Sequence, residues 1–416
     1  MAREMKDSGI QWIGAIPTDW NCRRLRFLCK IQTGNQDTQD SVADGVYPFY
    51  VRSPIVERSN KFTFEGPAIL MAGDGAGAGR IFHYVDGKYG CHQRVYSLQA
   101  ITEINRRFLY YYLSNLFYRE IEVANSKSTV DSVRLPMLQN FQVVFPDDHE
   151  QGEIVRYLDS KCVEIDAVLD KTRTSIEEYK KLKQAIITQA VTKGIRGDRP
   201  MKESGIEWVG EIPEEWAVAP KLSNLCYRSI SYGIVKLFEP DDEHGVKVLR
   251  CSDILPGKIL LNHVRTVKRE VSDMYARTIL QGGEVVINVR GTLGGCAVVS
   301  QNLCGYNVAR EVAVIPVSNS VNNQFLMYYL LSDSFLNFES QHLLGSVYVG
   351  LNIALLSSCP IPCPPTIEQN EIVAHLNAEC GKIDKMISKK EQLLNELESY
   401  KKSTIYEYVT GKKEVL

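Results

Sequence analysis

From residue 150 to about residue 193, apolar side chains return every seven positions. Leu158, Ile165, Thr172, Tyr179 and Ile186 occupy one seam position. Val155, Cys162, Leu169, Ile176 and Ala190 occupy the other, with Lys183 as its one charged member. The segment contains no proline, and its one glycine lies near the start. A second run follows 218 residues later in the same register: Leu376, Ile383, Lys390, Leu397 and Thr404 on one position, and Val373, Cys380, Ile387, Leu394, Lys401 and Tyr408 on the other. Heptads held this long predict coiled-coil helices. About 40 residues at 1.5 Å per residue make a rod of roughly 60 Å. An amphipathic helix gets most of its stability in water from covering its apolar seam. Two such helices in one chain can cover each other as an antiparallel pair about a pseudo-two-fold axis, which the shared register favours. Pairing in trans, in a homodimer, is the alternative.

Ahead of each run the pattern changes to β-branched and aromatic stretches broken by Gly, Pro, Asn and Asp, which predicts strands and turns. The first stretch predicts strands at 66–71, 80–85 and 94–98, a glycine-rich turn at 73–79, a helix at 105–115 and a proline-bounded strand at 141–146. The second predicts strands at 283–288, 296–299 and 311–315, a turn at 290–295, a helix at 323–332 and a strand at 359–364.

These parallels reflect a duplication. Residues 5–20 (Met-Lys-Asp-Ser-Gly-Ile-Gln-Trp-Ile-Gly-Ala-Ile-Pro-Thr-Asp-Trp) recur at 201–216, with ten of sixteen positions identical at an offset of 196. Glu150-Gln-Gly-Glu-Ile-Val recurs as Glu368-Gln-Asn-Glu-Ile-Val at an offset of 218, which also aligns Tyr110-Tyr111 with Tyr328-Tyr329. The second copy therefore carries about 22 extra residues between its Trp motif and its Tyr-Tyr segment. A period near 200 is too long for a solenoid and reads as a tandem domain with its connector. The predicted organisation is α+β: a mixed domain at 1–149, a helix at 150–196, a second mixed domain at 197–367 and a second helix at 368–416.

The composition of the 416 residues fits an ordinary globular protein, with 44% hydrophobic and 24% charged residues. No stretch approaches the roughly 18 apolar residues of a membrane helix, and mean hydropathy is −0.18. The first 20 residues lack a signal-peptide core, so the expected location is cytoplasmic, with no membrane partner. A net charge of −2 confines any nucleic-acid contact to local patches. The eleven cysteines are scattered, and Cys359 and Cys363 lack further ligands, so reduced thiols and no metal site are expected.

Candidate chemistry is sparse. The stretch Gly73-Asp-Gly-Ala-Gly-Ala matches a loose dinucleotide loop. However, a strand pattern rather than a phosphate-holding helix follows it, and the turn at 291–294 does not repeat it. No phosphate-binding loop, nucleophile elbow or zinc-protease helix occurs. The one Pro-Pro pair, Pro364-Pro365, has neither neighbour of an amino-methyltransferase tetrad. The chain reads as carrying no catalysis or cofactor of its own.

The doubled Ser-Gly-Ile-x-Trp-x-Gly-x-Ile-Pro-x-x-Trp openings resemble the specificity subunit of Type I restriction–modification enzymes over nearly the whole length. So do the doubled Glu-Gln-x-Glu-Ile helix starts and the endings at 189–193 (Gln-Ala-Val-Thr-Lys) and 407–411 (Glu-Tyr-Val-Thr-Gly). The resemblance implies that the globular units are target recognition domains, each reading half of a bipartite, asymmetric double-stranded DNA site, and that the helices form an antiparallel spacer. It also implies docking of two modification (methyltransferase) subunits, with restriction subunits added for cleavage. S-adenosylmethionine is then expected on the methyltransferase partner, and ATP and Mg on the restriction partner.

Reading bases requires side chains with several donors or acceptors, and positioning requires cations on phosphates. The first copy offers Arg52, Ser53, Lys61, His92, Gln93, Arg94, Lys127 and Ser128 at turns and strand ends. The second offers Arg250, Ser252, Asp253, Arg290, Asn307, Arg310 and Ser346, with Asp253 alternatively capping a turn. Residues 92–94 and 307–310 align just before a strand in each copy, which favours them as base readers. A rod of about 60 Å spans on the order of 17 base pairs at 3.4 Å each. The rival reading is a structural adaptor whose rod joins two protein-binding domains.

Overall fold

The computed structural model describes residues 3–124, 132–217, 220–235, 244–343 and 350–415. The chain divides into two compact units: residues 1–173 with 391–416, and residues 174–390. Each unit therefore takes its own stretch of both long helices.

In the first unit an antiparallel sheet runs Lys30–Thr33, Val95–Gln99, Ala68–Ala72, Phe82–Val85. Its central strand is the apolar run Ala-Ile-Leu-Met-Ala, buried at every residue because both edges are paired and both faces covered. A second sheet runs Glu57–Ser59, Tyr47–Tyr50, Lys88–Cys91, Phe64–Glu65, with its middle pair parallel. The helix Arg106–Leu116 follows, capped by the Asn105 side chain, which accepts from the amides of Arg107 and Phe108. The predicted strand at 141–146 is present as Gln142–Phe145, paired with Asn21–Arg24.

The second unit repeats this plan. Its antiparallel sheet runs Ser231–Tyr232, Val312–Ile315, Val285–Asn288, Cys296–Val298. Its second sheet runs Arg265–Val267, Val246–Leu249, Asn307–Val308, again with one parallel pair. The helix Asn323–Leu330 is capped by Asn322. No strand forms at 359–364: Pro360 and Cys363 make single bridges to Lys221 and Ala217. Four prolines (Pro360, Pro362, Pro364 and Pro365) in seven residues leave too few amide donors for a ladder.

The ladders also correct the sequence register. Cys91 pairs with Tyr50 as Val308 pairs with Leu249, so the offset rises from 199 to 217 between these strands. Eighteen of the extra residues therefore lie between Leu249 and Val308. They include the hairpin Ile254–Leu255 with Lys258–Ile259 and the helix Arg269–Asp273. Hydrogen bonds match Tyr111 with Tyr328, and Tyr112 with Tyr329, at 217 rather than 218. The Tyr111 hydroxyl donates to Asp159 and that of Tyr328 to Asn377, while Tyr112 and Tyr329 donate to the carbonyls of Gln142 and Pro360.

The heptad segments form helices Asp148–Lys193, of 46 residues, and Thr366–Val409, of 44. They pair antiparallel within the chain. In the first unit Tyr157 packs on Tyr408, Asp166 binds Lys401 at 2.7 Å and Arg173 binds Glu398 at 3.0 Å. In the second, Lys183 binds Asp384 at 2.7 Å, and Lys390 lies over the Tyr179 ring. Lys183–Asp384 and Lys401–Asp166 are the same pair under the 218-residue shift, so the duplication extends to individual ions.

Of the seam residues, Leu158, Cys162, Ile165, Leu169, Ile176, Val373, Leu376, Cys380 and Ile383 are buried. Val155, Tyr179, Ile186, Ile387, Leu394 and Leu397 are half-buried. Ile154, Ile187 and Ile372, off the predicted seam, are buried as well. At its ends each helix carries a second apolar face that enters a domain core: Ile154 joins Trp20 and Phe108, and Ile372 joins Trp216 and Phe325.

The opening motif is latched to the helix start in both copies. Trp20 Nε1 donates to Glu150, which Arg3 also binds at 2.6 Å; Trp216 Nε1 donates to Glu368, which Arg199 binds at 2.6 Å. The second long helix ends on Gly411 at φ +68°, where a Cβ would fall 2.4 Å from Pro17, so only glycine lets the chain close on this motif. All eleven cysteines are free thiols.

Candidate nucleic-acid interface

The glycine turn of the first unit is a 3-10 turn, Gly75–Gly77, that delivers the chain into the strand Phe82–Val85. Gly77 packs against the Arg52 carbonyl, where a Cβ would approach to 2.7 Å. This close approach brings the turn beside the loop after Tyr50, and a cleft of about 510 Å³ opens between them, with Arg52, Ser53, Asp74 and His92 in its wall.

Asp74 is the centre of this cleft. It accepts from Arg52 Nη1 at 3.1 Å and from Arg94 Nη1 at 2.5 Å. Partial burial opposes its ionisation, but the bonds from Arg94 and Arg52 outweigh that and hold the carboxyl below the usual carboxylate range. Asp74 is 20% exposed, whereas Arg52 and Arg94 are 41% and 59% exposed. Their remaining donors therefore face solvent.

His92 lies beneath and is 2% exposed. Its Nδ1 accepts from the Arg94 amide at 3.0 Å, and its Nε2 is 3.4 Å from Asp37. It thus fixes the Arg94 backbone instead of presenting an edge to a groove, a correction to its reading as a base contact. Gln93 is exposed and reaches Asp37 at 3.5 Å. Lys61 is exposed beside Asp40, and its carbonyl accepts from Gln36, whose backbone bridges to His92. Ser53 Oγ accepts from the Ile55 amide in a local turn. Sequence reasoning proposed Arg52, Ser53, His92, Gln93 and Arg94, and the fold brings them together. It missed Asp74 and Asp37, which join them; the signal for Asp74 was its place inside the glycine turn. Lys127 and Ser128 lie outside the described residues.

In the second unit, Arg290 occupies the position of Asp74. Each makes an isolated bridge to the segment just before a 6-residue helix, Asp74 to Ser132 ahead of Leu135–Asn140 and Arg290 to Gly350 ahead of Ile353–Ser358. The Arg290 guanidinium lies over Tyr232, 5.6 Å from the ring centre. The ladder shifts the proposed alignment by one residue. Gly73 donates to the Arg94 carbonyl as Val289 does to that of Glu311, so Glu311 is the counterpart of Arg94, and Arg310 that of Gln93. Arg310 is exposed, with its amide bonded to the Ile234 carbonyl.

Two further assignments in this unit are corrected. Asn307 is fully buried: its amide donates to Ser272, and its carbonyl accepts from Thr278 Oγ1 at 2.7 Å. Asp253 is buried and accepts from the amide of Arg250 at 2.8 Å and from its guanidinium, closing a capped turn. Every donor and acceptor of these two side chains that the fold uses is turned inward. Ser252 is exposed on that turn and donates to Asp253. Asn288 ties the turn to the glycine turn by donating to the carbonyls of Cys251 and Thr292. Ser346 lies outside the described residues.

Among the described residues no cluster of His, Cys, Asp or Glu could hold a metal ion, and no helix is long and apolar enough to cross a membrane.

Two mixed domains in tandem, each feeding one helix of an antiparallel pair, define a class. The family model for the Type I restriction modification DNA specificity domain matches residues 17–178 and again 229–399, and the chain belongs to that family. It is 25% identical over 385 residues to the specificity subunit of the Type I restriction enzyme EcoDI of Escherichia coli, covering 86% of this chain and 81% of the relative. It is 26% identical over 416 residues to the MjaVIII specificity subunit of Methanocaldococcus jannaschii, covering 95% and 93%. A solved structure from work on complex assembly and conformational transition of the type I R-M system shares the fold, with a TM-score of 0.68 at 16% identity over 96% of this chain and 99% of the other.

Proposed function

We propose that this chain is the DNA-specificity subunit of a Type I restriction–modification complex. Each unit reads one half of a bipartite, asymmetric site, and the helix pair sets the unread gap. The chain supplies recognition rather than catalysis. Two methyltransferase subunits bring S-adenosylmethionine, and restriction subunits bring ATP and Mg.

One observation carries this reading: on one shared backbone plan the two glycine turns present opposite chemistry. Arg52, Asp74 and Arg94 of the first unit correspond to Cys251, Arg290 and Glu311 of the second. A common scaffold with unlike tips suits two readers of unlike sequences. The near-neutral net charge agrees with partner subunits supplying many of the phosphate contacts.

The test is methylome sequencing of a host expressing the chain with its methyltransferase. Two short half-sites separated by a fixed gap are expected. Inserting one heptad at matching positions of both long helices keeps the seam in register and adds about 10 Å, or roughly three base pairs, to the gap. An unchanged gap would sink the spacer role. Methylation or binding without sequence preference would favour the adaptor reading.

A further inference from the structure

We infer that the first unit reads a guanine through the paired guanidinium groups of Arg52 and Arg94, held in place by Asp74. This rests on the DNA-reading function proposed above and goes further, naming the base and the residues.

Arg52 and Arg94 each commit one terminal nitrogen to Asp74, at 3.1 and 2.5 Å. The rest of each planar fork faces solvent, that of Arg52 in the cleft wall. A guanine presents two adjacent acceptors, O6 and N7, in the major groove, and a guanidinium matches them with two parallel N–H groups. Adenine offers a donor beside its acceptor and cytosine a donor, so neither accepts a two-donor fork.

A phosphate anchor is the competing use of an arginine, and three features weigh against it. The shared carboxylate lowers the cluster's net charge to about +1, which weakens long-range attraction to the backbone. It also restrains side chains that a phosphate contact could leave mobile, removing in advance part of their rotamer entropy. Above all, backbone phosphates are the same at any sequence, so a phosphate site would serve both units alike. Here the second unit substitutes Cys251, Arg290 and Glu311 at the corresponding positions. A position where two copies of one scaffold diverge in charge is where their targets diverge.

Beneath the pair, His92 secures the Arg94 amide through Nδ1, so the Arg94 fork rests on a buried support rather than a free loop.

The full chain with its methyltransferase partner is the material for the test, read by methylome sequencing and by DNA binding at several salt concentrations. The half-site assigned to the first unit is expected to contain guanine. Arg94→Gln and Arg52→Gln should each reduce discrimination at one position of that half by roughly 10- to 100-fold, leaving the other half-site intact. Asp74→Asn keeps both cations and frees them, so sequence preference at that position should fall while the salt dependence of binding steepens. Unchanged melting of the variants separates these effects from misfolding. The inference is overturned if the first unit's half-site lacks guanine. It is equally overturned if the arginine variants weaken binding at all sequences alike with a shallower salt slope, the signature of a phosphate contact. Wild-type chain giving no site-specific methylation would overturn the proposed function itself, a distinct outcome.

Discussion

Glu339 is 6% exposed in the helix Asp333–Leu343, and among the described residues no cation lies within ion-pair distance. Burial in apolar surroundings pushes its carboxyl up to about 7. A carboxyl whose folded pKa lies above its unfolded value favours the folded state while protonated. Its contribution is complete below about pH 4.5 and is lost as pH rises through about 7. Glu339→Gln should therefore melt higher than the parent at pH 8, with the gap closing toward pH 5. Parallel melting curves across that range would show that Glu339 does not titrate there. The residue scale is also where sequence reading reached least far. His92, Asn307 and Asp253 have the polarity of groove readers, yet each is buried and satisfied from within. Near glycine turns the same residue types cap, brace and recognise, and only burial tells these uses apart.

At the level of elements, the two copies solve one docking problem in two chemistries. In the first, the helix Arg106–Leu116 meets the long helix through Arg107 Nε to Asp159 at 2.8 Å and the Tyr111 hydroxyl to the same oxygen at 2.5 Å. In the second, the counterparts are Gln324, Asn377 and Tyr328, joined by amide and hydroxyl bonds of 3.0 and 2.8 Å. The charged pair has become an amide pair with the same layout. Asp159→Asn or Arg107→Gln alone should each cost about 0.5–1.5 kcal/mol, while the double variant should recover much of that loss. Denaturant titration of all four proteins gives the coupling, and strict additivity would deny the exchange. The long helices themselves were legible because their period repeats twice. The sites where they enter the domain cores were not, since Ile154, Ile187 and Ile372 fall beside the seam rather than on it. The strand Lys88–Cys91 also went unread, because Gly90 interrupts its pattern: a Cβ there would lie 2.7 Å from Gln36 Oε1.

Across the whole molecule, each compact unit gathers one globular domain with stretches from both long helices. The latch of Trp20, Glu150 and Arg3 recurs as Trp216, Glu368 and Arg199. Since the latch and helix contacts belong to each unit separately, replacing residues 20–146 with those of another family member, Trp20 retained, should change one half-site of the methylated sequence and leave the other. Changes in both halves would contradict independent reading. The duplication, and with it this modularity, was readable in the repeated Trp motifs. The placement of most of the extra residues between two paired strands was not, because it needed the ladder to locate it.

The matched ions Lys183–Asp384 and Lys401–Asp166 have a mechanical consequence. Sliding one long helix by a heptad would set Tyr408 or Leu394 opposite Asp166, leaving its half-exposed carboxylate without the lysine. The matched ions thus mark one register of the pair, each at the scale of up to about 1 kcal/mol that a half-exposed ion pair contributes.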